Sequence, residues 1–151
     1  MKTMEVMEKT KISGAEWEIM RVVWTLENAT SKDISSVLQN KMDWKPATTK
    51  TLIGRLVKKG ALITENEGNR FIYSAAVSEE AEVKNAAQSI LQNVCNRKVG
   101  ETIADLLSEA TLSHDDVALL ESILEEKKLT AVDEVPCDCV PGQCTCQHMH
   151  G

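Results

Sequence analysis

The sequence predicts a mostly α-helical chain that carries one small β-hairpin and ends in a cysteine-rich tail. Three observations predict it. Apolar residues recur at helical spacing in six stretches. Two short β-rich runs flank a polar, glycine-containing loop between residues 61 and 74. Apolar residues make up 42% of the chain but aromatics only 3%, so the core must be aliphatic, which favours helices.

The first helix is expected over Ile12–Leu26. Ser13 followed by Glu16 is a capping-box pair, in which each side chain satisfies an orphan backbone donor. Ile12, Ala15, Ile19, Val22, Val23 and Leu26 form one apolar stripe, and Trp17, Met20 and Trp24 a second, read as packing. Thr30 or Ser31, with Asp33, opens a second short helix that buries Ile34, Val37 and Leu38. Pro46 is preorganised for a first helical position, so Ala47–Lys59 reads as a third helix, stopped by Gly60 at a left-handed cap. Its apolar face is Leu52, Ile53, Leu56 and Val57.

The opposite face of that helix carries Thr48, Thr49, Lys50, Thr51 and Arg55. Hydroxyls and basic groups on an exposed helix suit insertion into a DNA major groove, where they meet phosphates and base edges. The helix N-terminus adds a favourable dipole for phosphate. From Lys45 to Lys59 there are five basic residues and no acid. Ala61–Thr64 and Arg70–Ser74 read as the strands of a hairpin around the loop Glu65–Asn69. Three helices and then a two-stranded hairpin is the winged helix-turn-helix order. Arg70 is placed to reach a phosphate from the wing, whereas Glu65 and Glu67 would be repelled there.

Beyond Ser78 the composition turns acidic. Residues 1–75 hold 12 Lys+Arg against 9 Asp+Glu, a net of +3, and residues 76–151 hold 5 against 14, a net of −9. Such asymmetry points to one half meeting a polyanion, despite a total of −6. Helices are expected over Glu79–Asn96, over Glu101–Ser108, and after Ser113, which Asp116 partners in a third capping box. Their apolar stripes are too few to enclose a core alone and are expected to bury against a second copy of the chain. The expected divisions are a winged-helix DNA-binding domain over 1–76, a helical dimerisation region over 77–130 and a metal-binding tail over 131–151.

The tail reads Cys137-Asp138-Cys139-Val140-Pro141-Gly142-Gln143-Cys144-Thr145-Cys146. Each Cys-x-Cys pair can turn two thiolates to one side. Pro141-Gly142 marks a turn that folds the second pair over the first. Cys137, Cys139, Cys144 and Cys146 can then converge on one soft ion, and thiolates suit Zn²⁺ or Cu(I) far better than Mg²⁺ or Ca²⁺. Metal binding would order the tail. Cys95 lies beside the apolar face of its helix and is read as a small buried hydrophobe. His148 and His150 are read as free rather than as auxiliary ligands.

No apolar run approaches the ~18 residues of a membrane span. Met1–Lys11 mixes acidic and basic residues without the apolar centre of a secretory signal, so the cytoplasm is expected, where thiols stay reduced. The competing readings of the cysteines are a disulfide pair in a secreted tail and idle cytosolic thiols. Thioredoxin-like chemistry needs a Cys-x-x-Cys spacing that is absent. No acid–base or nucleophile constellation stands out, and an all-thiolate metal site leaves no open position for substrate, so an enzyme is not expected.

Residues 13–20 (Ser-Gly-Ala-Glu-Trp-Glu-Ile-Met), Val23-Trp24, residues 44–52 (Trp-Lys-Pro-Ala-Thr-Thr-Lys-Thr-Leu) and residues 55–62 (Arg-Leu-Val-Lys-Lys-Gly-Ala-Leu) together resemble the winged-helix repressors of the BlaI/MecI/CopY family. The likeness spans roughly residues 10–130, and the paired Cys-x-Cys tail is a feature of the copper-responsive CopY branch. The resemblance implies a homodimer that represses copper-homeostasis genes at a palindromic double-stranded operator. It implies Zn²⁺ on the tail cysteines in the DNA-binding form and displacement by Cu(I), delivered by a copper chaperone, in the released form. Lys45, Thr48, Thr49, Lys50, Thr51, Arg55 and Arg70 would be the DNA-facing set. Two alternatives are a metallochaperone or metal-storage protein, and a repressor inactivated by proteolysis whose cysteines hold a structural zinc.

Overall fold

The computed structural model describes residues 11–146, so His148 and His150 lie outside the described residues. The chain forms two compact units, Met1–Lys84 and Asn85–Gly151. Among the described residues, no helix is long and apolar enough to cross a membrane.

In the first unit, α1 (Gly14–Leu26) is capped by Ser13. The Ser13 hydroxyl accepts from the Glu16 N–H at 3.2 Å, and the Glu16 carboxylate accepts from the Ser13 N–H at 2.8 Å. The same reciprocal box, Thr30 with Asp33, opens α2 (Ser31–Met42). α3 (Pro46–Lys59) begins on its proline and ends at Gly60, whose φ of 84° is open to glycine and strained for other residues. Two antiparallel strands follow, β1 (Leu62–Glu67) and β2 (Arg70–Ala75), with Leu62 opposite Ala75 and Glu67 opposite Arg70.

The hairpin is longer than expected. Residues 65–67 pair with 70–72, which leaves only Gly68 (φ 68°) and Asn69 for the turn. Glycine at the first of two connecting residues lets the chain reverse with the twist that paired strands need.

The helical spacing resolves into an aliphatic core. Ile19, Met20, Val23, Ile34, Ile53 and Leu56 are fully or almost fully buried, and Leu62 from the hairpin packs among them. Removing such side chains from water is worth roughly 1.5–3 kcal/mol each. Trp24 packs partly against this core, and its Nε1–H donates to the Val77 carbonyl at 2.9 Å. Its ring centroid stands 5.7 Å from that of Trp17. The loop after α1 pairs with the hairpin: Ala29 and Tyr73 exchange backbone hydrogen bonds of 3.0 and 2.8 Å. Three helices and a bonded-down hairpin form a winged helix.

The helices α4 (Glu79–Gln92), α5 (Val99–Glu109) and α6 (His114–Lys128) follow, with a 3₁₀ turn, Asn96–Lys98, before α5. α4 stops earlier than expected, which frees residues 93–95 to turn. Ser113 and Asp116 form the expected capping box on α6. Within the chain these three helices bury none of their residues. Ile90, Ile103, Leu106, Leu119, Ile123 and Leu124 are all exposed, Leu106 by 61%.

Candidate metal centre and nucleic-acid interface

The metal-centre candidate lies within the second unit. Val140-Pro141-Gly142-Gln143 is a tight turn: the Gln143 N–H donates to the Val140 carbonyl at 3.1 Å, and Gly142 has φ 97°. Proline second and a positive-φ glycine third is the type II pattern. The Gln143 side chain accepts from the Val140 N–H at 3.2 Å and closes the turn from the other side.

Each Cys-x-Cys pair is organised identically. The Cys139 N–H donates to the Cys137 sulfur at 3.4 Å, and the Cys146 N–H to the Cys144 sulfur at 3.4 Å. The turn brings Cys137 and Cys144 to 3.4 Å, sulfur to sulfur. The two pairs thus meet at Cys137 and Cys144, and Cys146 lies outside the mutually close set of sulfurs.

Cys95 requires a correction. It is buried, at 7% exposure, but among sulfurs rather than as a small hydrophobe in an apolar core. Its sulfur lies 3.5 Å from Cys137 and 3.9 Å from Cys146. The sulfurs of Cys95, Cys137, Cys139 and Cys144 all lie within 4.8 Å of one another. A tetrahedral zinc with Zn–S bonds near 2.3 Å has sulfur–sulfur edges of about 3.8 Å, so the donor set fits a soft ion in type and in spacing.

Crowding thiols together makes ionisation of most of them costly. Burial, with the neighbouring Cys137 and Cys95 thiols, pushes Cys139 well above the usual thiol range. Burial, helped by Cys144 and Cys95, pushes Cys146 up to about 11. The Cys139 N–H lowers Cys137, but burial and the adjoining thiols outweigh it and leave it raised. Cys95 goes the other way, because the Arg97 backbone N–H favours its thiolate over the opposing effect of burial.

Metal uptake must therefore expel protons. With Cys137 and Cys139 both raised and so protonated at pH 7, at least two protons leave per ion, and apparent Zn²⁺ affinity should rise roughly a hundredfold per pH unit. Competition against a chromophoric chelator at pH 6, 7 and 8, corrected for the chelator's own protonation, measures this. A flat profile would contradict it.

The nucleic-acid candidate lies in the first unit. Lys45, Thr48, Lys50, Thr51 and Arg55 are all exposed on or beside α3. The Thr51 hydroxyl donates to the Ala47 carbonyl at 3.0 Å, which leaves its oxygen lone pairs directed outward. Thr49 departs from the expected DNA-facing set: it is 1% exposed and its hydroxyl has no hydrogen-bond partner. The reason is helical phase. Thr49 shares the inward stripe of Leu52, Ile53 and Leu56, at i+3, i+4 and i+7.

Lys59, last in the basic run, points inward as well. It pairs with Glu16, which is 1% exposed, and also donates to the Lys11 carbonyl at 2.9 Å. Burial raises the Glu16 pKa, but bonds from Lys59 and Ser13 outweigh it and hold the carboxyl below its ordinary range. Arg70 is exposed at the hairpin end, near enough to Asp33 for its charge to favour that carboxylate.

The sequence profile of the penicillinase repressor family matches residues 12–126. An uncharacterised 16.5 kDa protein of Latilactobacillus sakei is 47% identical over 137 residues, covering 91% of this chain and 94% of that one. The penicillinase repressor of Bacillus licheniformis is 31% identical over 118 residues, covering 78% and 92%. Among solved structures, the DNA-binding domain of the repressor BlaI is 36% identical and covers 46% of this chain and 85% of its own, with a TM-score of 0.44. The family profile ends at residue 126, before the first tail cysteine.

Proposed function

This chain belongs to the penicillinase repressor family, a family of DNA-binding transcriptional regulators rather than enzymes, and we propose that it is the metal-responsive kind: a cytoplasmic homodimeric repressor of copper-homeostasis genes. The tail thiolates hold Zn²⁺ in the form that binds operator DNA and take Cu(I) in the form that releases it. The observation that carries this reading is the cluster of four cysteine sulfurs within 4.8 Å of one another, a donor set that suits a soft ion.

The exposed groups of α3 supply the contacts to DNA. Lys45, Lys50 and Arg55 meet phosphates or guanine edges, and Thr48 and Thr51 add hydroxyls and methyls. Arg70 adds a phosphate contact from the wing. The unpartnered apolar residues of α4–α6 support a second copy as their cover, since a soluble monomer rarely exposes so many large apolar side chains together. Two copies present two α3 helices to the halves of a palindrome, and such a site demands a fixed spacing between them.

Four thiolates with one Zn²⁺ carry the same net charge as four with two Cu(I). Bulk charge is therefore a weak switch, and the fold of the tail around its ion is the better one. Coupling between the metal centre and the operator should change DNA affinity by ~5–150-fold. The test is fluorescence anisotropy on the chain's own promoter fragment with apo, Zn²⁺ and Cu(I) protein side by side. The Zn²⁺ form is expected to bind most tightly and the Cu(I) form to release. Equal affinity in all three states would overturn metal control. Sequence-independent binding in all three would favour a metal-storage role.

A further inference from the structure

We infer that Cys95 is a metal ligand, the fourth sulfur of the zinc-type site with Cys137, Cys139 and Cys144, and that Cys146 is the spare thiol. The inference deepens the metal-centre reading above and rests on it.

Three observations carry it. The four sulfurs that all lie within 4.8 Å of one another are those of Cys95, Cys137, Cys139 and Cys144, with Cys146 outside that set. A tetrahedral tetrathiolate needs every sulfur close to every other, so the mutual criterion selects its members better than nearness in sequence does. Second, Cys95 sits where the chain can hold it still: it stands at the start of the 3₁₀ turn Asn96–Lys98 and is buried. Third, a contact that involves no sulfur brings the tail to the same joint: Arg97, two residues after Cys95, pairs with Glu134, three residues before Cys137, at 2.6 Å.

A ligand here changes what the metal does. With tail ligands only, an ion organises the ten residues from Cys137 to Cys146. With Cys95 included, it ties the tail to the joint between α4 and α5, across 42 residues of chain. The loop that the ion closes then contains α5 and α6. Metal occupancy thus acts on the helices that we propose as the dimer surface, without relying on linker 130–136 to transmit anything. Cys146, 3.9 Å from Cys95, is an additional thiol beside the site, which Cu(I) clusters that bridge through sulfur could recruit on deprotonation.

The test uses the full chain, Co²⁺ as a spectroscopic stand-in for Zn²⁺, and reciprocal variants. The chain has five cysteines, so any four-sulfur site lacking Cys146 must use Cys95. C146S is expected to keep the ligand-field and charge-transfer spectrum of four thiolates, with Zn²⁺ affinity within about threefold of wild type. C95S is expected to shift to the spectrum of three thiolates and one oxygen, with affinity lowered at least tenfold. The opposite pattern, with C146S losing a sulfur and C95S unchanged, would overturn the inference. C146S alone decides the matter if C95S fails to fold. The variant with all four tail cysteines changed to Ser tests the underlying reading separately: Co²⁺ binding that survives in it removes the tail site itself, whatever the role of Cys95.

Discussion

Replacing Cys137 and Cys139 together by Ser should abolish the response of DNA binding to metal while leaving the winged-helix unit folded. Both sulfurs belong to the mutually close set, and Cys137 contacts both Cys95 and Cys144. Structural zinc held by four protein ligands is worth ~10–16 kcal/mol, so loss of half the ligands forfeits at least ~5 kcal/mol, more than a thousandfold in affinity. Serine preserves side-chain size, but its hydroxyl stays protonated and is a hard donor that Cu(I) ignores. Zn²⁺ and Cu(I) titrations followed by operator anisotropy would measure both effects. Retained copper release in this double variant would defeat the metal-responsive reading, whichever other cysteines take part.

Replacing Lys50 and Arg55 together by Ala should weaken operator binding by about thirtyfold or more. Each side chain is exposed on α3, and a direct base or phosphate contact is worth ~1–3 kcal/mol. Alanine is the best helix former, so α3 should keep its shape and the core stripe its packing. The salt dependence separates direct recognition from a folding effect. The slope of log affinity against log salt should fall by about one for each phosphate that the variant no longer neutralises. Zn²⁺ uptake should be unchanged, because every described ligand candidate lies in the second unit. Operator affinity within twofold of wild type would show that another face of the molecule meets DNA.

Local chemistry is legible wherever a few adjacent residues decide the outcome. The pairs Ser13/Glu16, Thr30/Asp33 and Ser113/Asp116 each announce a helix start, and each forms the reciprocal bonds that its spacing implies. Pro46, Gly60 and the Pro141-Gly142 turn act in the same short range. The errors arise where phase or distance matters. Thr49 is polar, but it sits at an inward phase of α3, and composition conceals what the positions of Leu52, Ile53 and Leu56 reveal. The hairpin loop is shorter than expected because Glu65 and Glu67 are weak strand formers by preference, yet pairing with Ile72 and Arg70 extends β1. Cys95 escapes a local reading because its partners stand 42 and 51 residues downstream, and no short pattern encodes a meeting across that distance. The one available signal is an unpaired fifth cysteine in a chain with four arranged as ligands.

The backbone bonds between Ala29 and Tyr73 fix β2 to the segment that joins α1 and α2. Trp24, on α1, is tied in turn to Val77 just past the same strand. An isolated two-stranded ribbon frays readily, but this one is sutured at its base from two directions. Local opening of the wing therefore has to break ties to α1 as well, which makes wing and helices one cooperative unit in amide exchange. In the function proposed above, Arg70 and α3 then act as one preorganised template, so that binding should forfeit little conformational entropy.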